Sequence, residues 1–211
     1  MPPELGAHLL NMDPPDHTRL RLLVSQAFTP RRVDDLRDRV QTMTDDLLDN
    51  VTGPDVDLMR TLANPLPMEV ICELLGVSGE TRGDFRAWTD TLLSPARGAA
   101  TDSRAAIRQM YQFLTACIQD KRQHPTDDVL SGLIEARDEQ GALTEQELLS
   151  LAFLTHFAGY DNAVHLIGNA TLGLLLHPEQ MKAARSGATP IRARESLDQG
   201  HPAATDAGSD D

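Results

Sequence analysis

Between residues 144 and 177 the chain holds an apolar stretch too long for an ordinary surface helix. Thr144-Glu-Gln-Glu147 opens it with capping-box spacing, in which a hydroxyl and a carboxylate three residues apart each satisfy a free backbone donor. His177-Pro178 closes it. At 1.5 Å per residue the helix would be roughly 50 Å long. Its apolar residues lie all round instead of in one stripe, the pattern of a helix buried through the middle of a larger protein. The stretch is long enough to span a bilayer, but His156, Asp161, Asn162, His165 and Asn169 interrupt it, and polar groups at that depth are costly in lipid. A chain with such a helix must wrap other helices around it.

The remaining periodicity supplies those helices. Leu20, Leu23, Val24 and Ala27 recur at helical spacing over residues 17–28. Thr29-Pro30 restarts the chain, threonine suiting the cap and proline the first helical position, so residues 30–51 read as a second helix with apolar Val33, Leu36, Val40, Met43, Leu47 and Leu48. Residues 55–58 suggest a short extended piece. An apolar helix over 66–75 then ends at Gly76, placed as a C-terminal cap. Further helices are expected over 80–93, 102–123 and 127–139, with a small, turn-rich surface connection over 94–100 and a break at 140–142. The fold class expected is all-α.

Composition narrows the function. Nineteen Lys and Arg against 32 Asp and Glu give a net charge of -13, and such a surface repels a phosphate backbone, so nucleic acid is not expected as a partner. The start of the chain shows no basic and apolar leader pattern. A soluble cytoplasmic protein is expected, without a membrane segment. Cys72 and Cys117 sit singly in apolar helical patterns, neither a zinc signature nor a disulfide framework. None of the seven histidines lies in a His-Glu-x-x-His motif, which sets aside a zinc hydrolase.

Two short segments carry chemistry. His17 and Arg21 are four residues apart, one turn along one helix face, where both can donate to a single anionic group. Arginine is permanently charged and forked for carboxylates. In an arbitrary sequence such a pair is more often an exposed surface feature. About 140 residues further on, Ala158-Gly159-Tyr160-Asp161-Asn162 lies mid-way along the long helix. Glycine in a helix interior costs about 1 kcal/mol relative to alanine, which suggests a close approach to the backbone. Asp161, in apolar surroundings, needs a partner or a function; a water-satisfied kink is the plainer alternative.

The run Leu9-Leu-Asn-Met-Asp13-Pro-Pro-Asp-His17-Thr-Arg-Leu-Arg21-Leu-Leu-Val-Ser-Gln-Ala-Phe-Thr-Pro-Arg31 is similar throughout to the segment around the third helix of bacterial cytochromes P-450. Residues 158–162 resemble the oxygen-activation motif of that family, residues 65–77 match another of its segments, and residues 166–180 continue the pattern. The resemblance covers roughly residues 5–184, the helical middle of a fold about twice this size. It implies a haem monooxygenase that inserts one oxygen atom from dioxygen into a small organic substrate, with electrons from a ferredoxin-type partner. His17 and Arg21 would bind the haem propionates, and Ala158 and Gly159 would line the haem. Asp161 and Asn162 would be catalytic, managing protons during oxygen activation. Asn162 stands where the family usually has threonine, and an amide holds a water but relays protons poorly at neutral pH. By the same resemblance, the loop around Leu92 to Ala100 and the two helices flanking it would cover the substrate entrance.

Two family motifs are missing. No glutamate is followed three residues later by arginine, and neither cysteine stands in the loop that supplies the axial thiolate, so no metal ligand is assigned. After about Ala184 the sequence turns polar and rich in proline and glycine. Residues 1–184 are therefore expected to form a partial helical domain, truncated relative to the family, with 185–211 a disordered or frameshifted tail. Two other readings stand beside the enzyme: a non-catalytic truncated product, and a helical interaction or ligand-binding module.

Overall fold

A computed structural model describes residues 5–77, 79–93, 100–138 and 142–186. By internal contacts the chain divides into a first unit, residues 1–168, and a second, residues 169–211. Among the described residues the structure is helical, without strands.

The first unit begins with a single 3-10 turn, Leu9–Asn11, and α1, Asp16–Ala27, which buries Leu20, Leu23 and Ala27. Thr29 then caps α2, Pro30–Asp49, its hydroxyl accepting from the Arg32 amide at 3.2 Å with Pro30 at the first position. Arg32 also donates to the Ala27 carbonyl at 2.8 Å and to Asp127 at 2.9 Å, so the α1–α2 corner is tied to a turn 95 residues further along the chain. α2 itself buries no residue completely, and Val33 and Leu48 are exposed. Its apolar positions are more shallowly seated than their periodicity suggests.

Residues 55–58 form no strand. Asp57 caps a π-helical turn instead: its side chain accepts from the Arg60 amide at 3.1 Å and its carbonyl from Thr61 at 2.9 Å. The turn covers Met59–Ala63 and leads into α3, Pro65–Leu74. Local side-chain capping by aspartate outcompetes extended pairing where no neighbouring strand exists. α3 ends as its sequence predicts. The Val77 amide reaches the Cys72 carbonyl at 2.7 Å, the Gly76 amide reaches Glu73 at 3.1 Å, and Gly76 takes the left-handed φ of +62° that this ending requires.

α4, Arg82–Leu93, and α5, Ala100–Gln123, pack on one another, and α6, Val129–Asp138, lies against α1 and α5. The core runs through Leu20, Met68, Leu75, Phe85, Met110, Leu114, Leu130, Leu133, Leu148 and Leu151. α7, Glu145–Leu176, starts with the expected capping box: the Glu147 amide donates to the Thr144 hydroxyl at 3.2 Å and the Thr144 amide to the Glu147 carboxylate at 2.8 Å. Its buried residues run from Glu147 to Val164, whereas Leu166 is exposed. The all-round burial expected for 144–177 therefore holds only for the first part of the helix. No helix among the described residues is long and apolar enough to cross a membrane.

The second unit holds the last turns of α7, with Leu172, Leu175 and Leu176 exposed, and α8, Pro178–Arg185, in which proline again occupies the first position. The connection at 94–99 and most of the tail, 187–211, lie outside the described residues.

Candidate functional site

His17 and Arg21 occupy one side of α1, His17 partly covered and Arg21 exposed. Neither side chain makes a hydrogen bond or ion pair among the described residues. Arg19, between them, is fully engaged: it donates to the Ala142 carbonyl at 2.7 Å, to Glu147 at 2.5 Å and to Asp16 at 3.1 Å. Glu147 is buried, which raises a carboxyl pKa, but the Arg19 guanidinium and the Thr144 amide and hydroxyl outweigh burial and hold it below the usual carboxylate range.

On α7 the predicted motif splits between two sides. Gly159 faces α3, where a β-carbon would collide with Cδ1 of Ile71 and lie 3.3 Å from its Cγ1. The close approach expected at this glycine is thus made by a neighbouring helix. Ala158 and Asn162 are exposed on the other side, and the Asn162 amide donates to the Ala158 carbonyl at 2.9 Å. That leaves the Asn162 Oδ1 as a free acceptor on an open face. Asp161 is about half exposed beside His165, whose Nδ1 lies 3.6 Å from the carboxylate and 2.8 Å from the Asp161 carbonyl. No hydrogen bond or ion pair among the described residues joins the α1 pair to this group.

The inner side of the same helix carries a residue whose role the sequence did not reveal. His156 is fully buried and its Nε2 lies 2.7 Å from the Thr89 hydroxyl of α4. Thr89 donates its one proton to the Phe85 carbonyl at 2.8 Å. Nε2 and the Thr89 hydroxyl share one hydrogen bond, and Nδ1 is buried without a partner. Phe85, Phe157 and Tyr160 surround the ring, and burial lowers its pKa to about 3. The sequence offered only a histidine within the mostly apolar residues 148–157 of α7, and nothing local pointed to Thr89.

The donor set can be tested against a haem. His17 and Arg21, uncommitted and one turn apart, fit a pair of carboxylates, and the small Ala158 on an open face leaves room for a planar ring. Cys72 is buried in the core and Cys117 packs against it. Burial pushes the Cys72 thiol up to about 12 and the Cys117 thiol to about 11, so both are protonated at neutral pH. No cluster of three or more metal-binding side chains occurs among the described residues.

Helices throughout the described residues, with a His-x-x-x-Arg pair on one and an Ala-Gly-x-Asp motif on a long one, resemble the arrangement of a cytochrome P-450. Comparison with known proteins agrees. The chain is 48% identical over 185 residues to cytochrome P-450 107B1 of Saccharopolyspora erythraea, covering 87% of this chain and 45% of that protein. It is 44% identical over 184 residues to vitamin D(3) 25-hydroxylase of Pseudonocardia autotrophica, covering 86% and 45%. Among solved structures, the ligand-free P-450 monooxygenase TamI superposes with a TM-score of 0.78 at 44% identity, covering 87% of this chain and 44% of that one. The bacillaene polyketide synthase cytochrome P-450 PksS of Bacillus subtilis 168 gives a TM-score of 0.80 at 36% identity, covering 89% and 50%. No family model matches the chain. Over most of its length the chain is similar to bacterial cytochromes P-450, and it spans about half the length of the relatives it matches.

Proposed function

We propose that this chain is the part of a haem monooxygenase that holds the haem carboxylates and handles protons during oxidation of a small organic substrate. The observation that carries the reading is the uncommitted pair His17 and Arg21 on one side of α1, with Arg19 engaged on the other. His17 and Arg21 donate to the two propionates, each such charge-assisted bond contributing about 1.5–3 kcal/mol. Haem, when bound, supplies the oxygen chemistry.

On α7, Ala158 lines the cofactor with a side chain small enough to admit it, while Gly159 sets the helix position through its contact with Ile71. Asp161 is the proton-carrying group of the motif. Asn162 cannot ionise; its Oδ1 can hold a water that hands a proton on, but the amide itself relays none. Hydroxylation of an organic molecule is the reaction class, with electrons from a ferredoxin-type donor and a cytoplasmic location. Cys72 is buried in the core, Cys117 packs against it, and burial raises both thiols, which argues against either as the axial ligand. That observation favours a second reading, in which the 211-residue chain by itself binds haem weakly and has no catalytic activity.

An absorption titration with haem tests the assignment. A saturable Soret shift is expected, weakened at least tenfold by His17→Ala or Arg21→Ala. A shift that is indifferent to both substitutions overturns the site. Reduction under carbon monoxide that gives a thiolate-type spectrum overturns the statement about the cysteines.

A further inference from the structure

The three basic residues of His17-Thr-Arg19-Leu-Arg21 divide between two sides of one helix. At about 100° per residue, His17 and Arg21 lie roughly 40° apart, while Arg19 is about 160–200° from both. Arg19 is the anchored member. Its guanidinium holds the Ala142 carbonyl and the Glu147 carboxylate, and that carboxylate closes the capping box of α7 on Thr144. The anchor point cannot easily turn: Glu147 is only 7% exposed, and one turn on, the Ser150 hydroxyl accepts from the Ala7 amide at 3.1 Å. α1 is therefore fixed about its own axis at its first turn, where the pair proposed to hold the haem begins.

We propose that Arg19 is a positioning residue: by gripping the first turn of α7, it sets the rotation of α1 that turns His17 and Arg21 together toward the cofactor carboxylates. The inference rests on the haem reading above. It also explains why one short helix carries a second arginine that points away from the pair. Lysine at this position could reach Glu147 but lacks the fork that grips the Ala142 carbonyl at the same time.

The test compares Arg19→Gln, Arg19→Lys and Thr144→Ala in the full chain, beside His17→Ala and Arg21→Ala. Thr144→Ala weakens the same cap while leaving the Arg19–Glu147 grip, so it controls for stability alone. Two quantities are read, haem affinity by absorption titration and amide hydrogen exchange through α1. Arg19→Gln is expected to weaken haem binding roughly tenfold and to speed exchange across residues 17–22, with Arg19→Lys intermediate. Thr144→Ala is expected to bind haem as the parent does. Equal losses in Arg19→Gln and Thr144→Ala, or parent-like binding in Arg19→Gln, overturn the positioning role and leave the haem site standing. A parent chain that takes up no haem, or one indifferent to His17→Ala and Arg21→Ala, overturns both.

Discussion

Ile71 of α3 fills the space that a side chain at Gly159 of α7 would need. The crossing of these two helices therefore depends on one missing β-carbon, next to the residues proposed to act on protons. Helix propensity alone would make Gly159→Ala stabilising by about 1 kcal/mol. The collision opposes this, since overpacking a fitted contact costs about 1–3 kcal/mol. Because the colliding atom is the end of a flexible side chain, a net loss of about 1 kcal/mol is expected, read as a lower urea midpoint. Ile71→Val removes the colliding Cδ1, so the double variant should regain the midpoint. If Gly159→Ala raises it unaided, the contact does not govern the crossing.

Gly76 is constrained twice. Its φ of +62° is unfavourable for any residue with a side chain, and a β-carbon there would overlap the Lys121 ammonium and the Asp128 carboxylate. Those two groups form a buried pair at 2.7 Å, and Asp128 also accepts from the Ser131 amide at 2.7 Å at the start of α6. Gly76→Ala should cost about 1–2 kcal/mol in backbone strain, with a further loss from displacing the pair. Removing one partner should be worse than removing both: Asp128→Leu is expected to cost about 3–5 kcal/mol by leaving the Lys121 charge buried, and Lys121→Met with Asp128→Leu clearly less. Chemical denaturation of the single and double variants checks the order.

What could be read from sequence was what is settled within a few residues. The Thr29 cap, the Thr144 and Glu147 box and the Gly76 ending each satisfy a backbone group from three or four positions away, so their residue types announce them. The i,i+4 spacing of His17 and Arg21 shows only that they share a helix face; the role proposed for them comes from the resemblance of the surrounding run. Arg19 and Glu147 are 128 residues apart, and Thr89 and His156 are 67 apart; no local pattern links them. Periodicity shows which residues are apolar but not how deeply their helix is seated. Hence Val33 and Leu48 of α2 are exposed, as is Leu166 beyond the buried part of α7.

The thiols give a direct check on what holds the iron. With Cys72 near 12 and Cys117 near 11, alkylation by iodoacetamide at pH 7 should be slow for both in the folded chain and fast after unfolding, because the thiolate is the reacting form. Cys72→Ala and Cys117→Ala should leave haem affinity within about twofold of the parent, Cys72→Ala at a stability cost of about 1–2 kcal/mol for the cavity. A haem affinity that falls tenfold in either variant would make that cysteine a ligand.

His156 should dominate the acid side of the stability profile. Its folded pKa of about 3 lies below the 6.5 of an unfolded histidine. Between these values the unfolded chain binds a proton that the folded chain does not, so stability is full above about pH 6.5 and falls as the pH drops toward 3. The slope approaches about 1.4 kcal/mol per pH unit. His8, also lowered by burial, adds in the same direction. Asp128, Asp138 and Glu147 are all held below their ordinary values, so their stabilisation is lost only at more acidic pH, as it falls below about 4. The window from pH 6.5 to 4.5 therefore isolates the histidines. Urea midpoints across that window should decline in the parent and flatten in His156→Leu, which removes the proton-binding group but also strands the Thr89 hydroxyl's second interaction. Thr89→Val with His156→Leu should keep the flat profile and recover part of the lost stability. A parent profile that is already flat from 6.5 to 4.5 would mean His156 is not buried as a neutral ring.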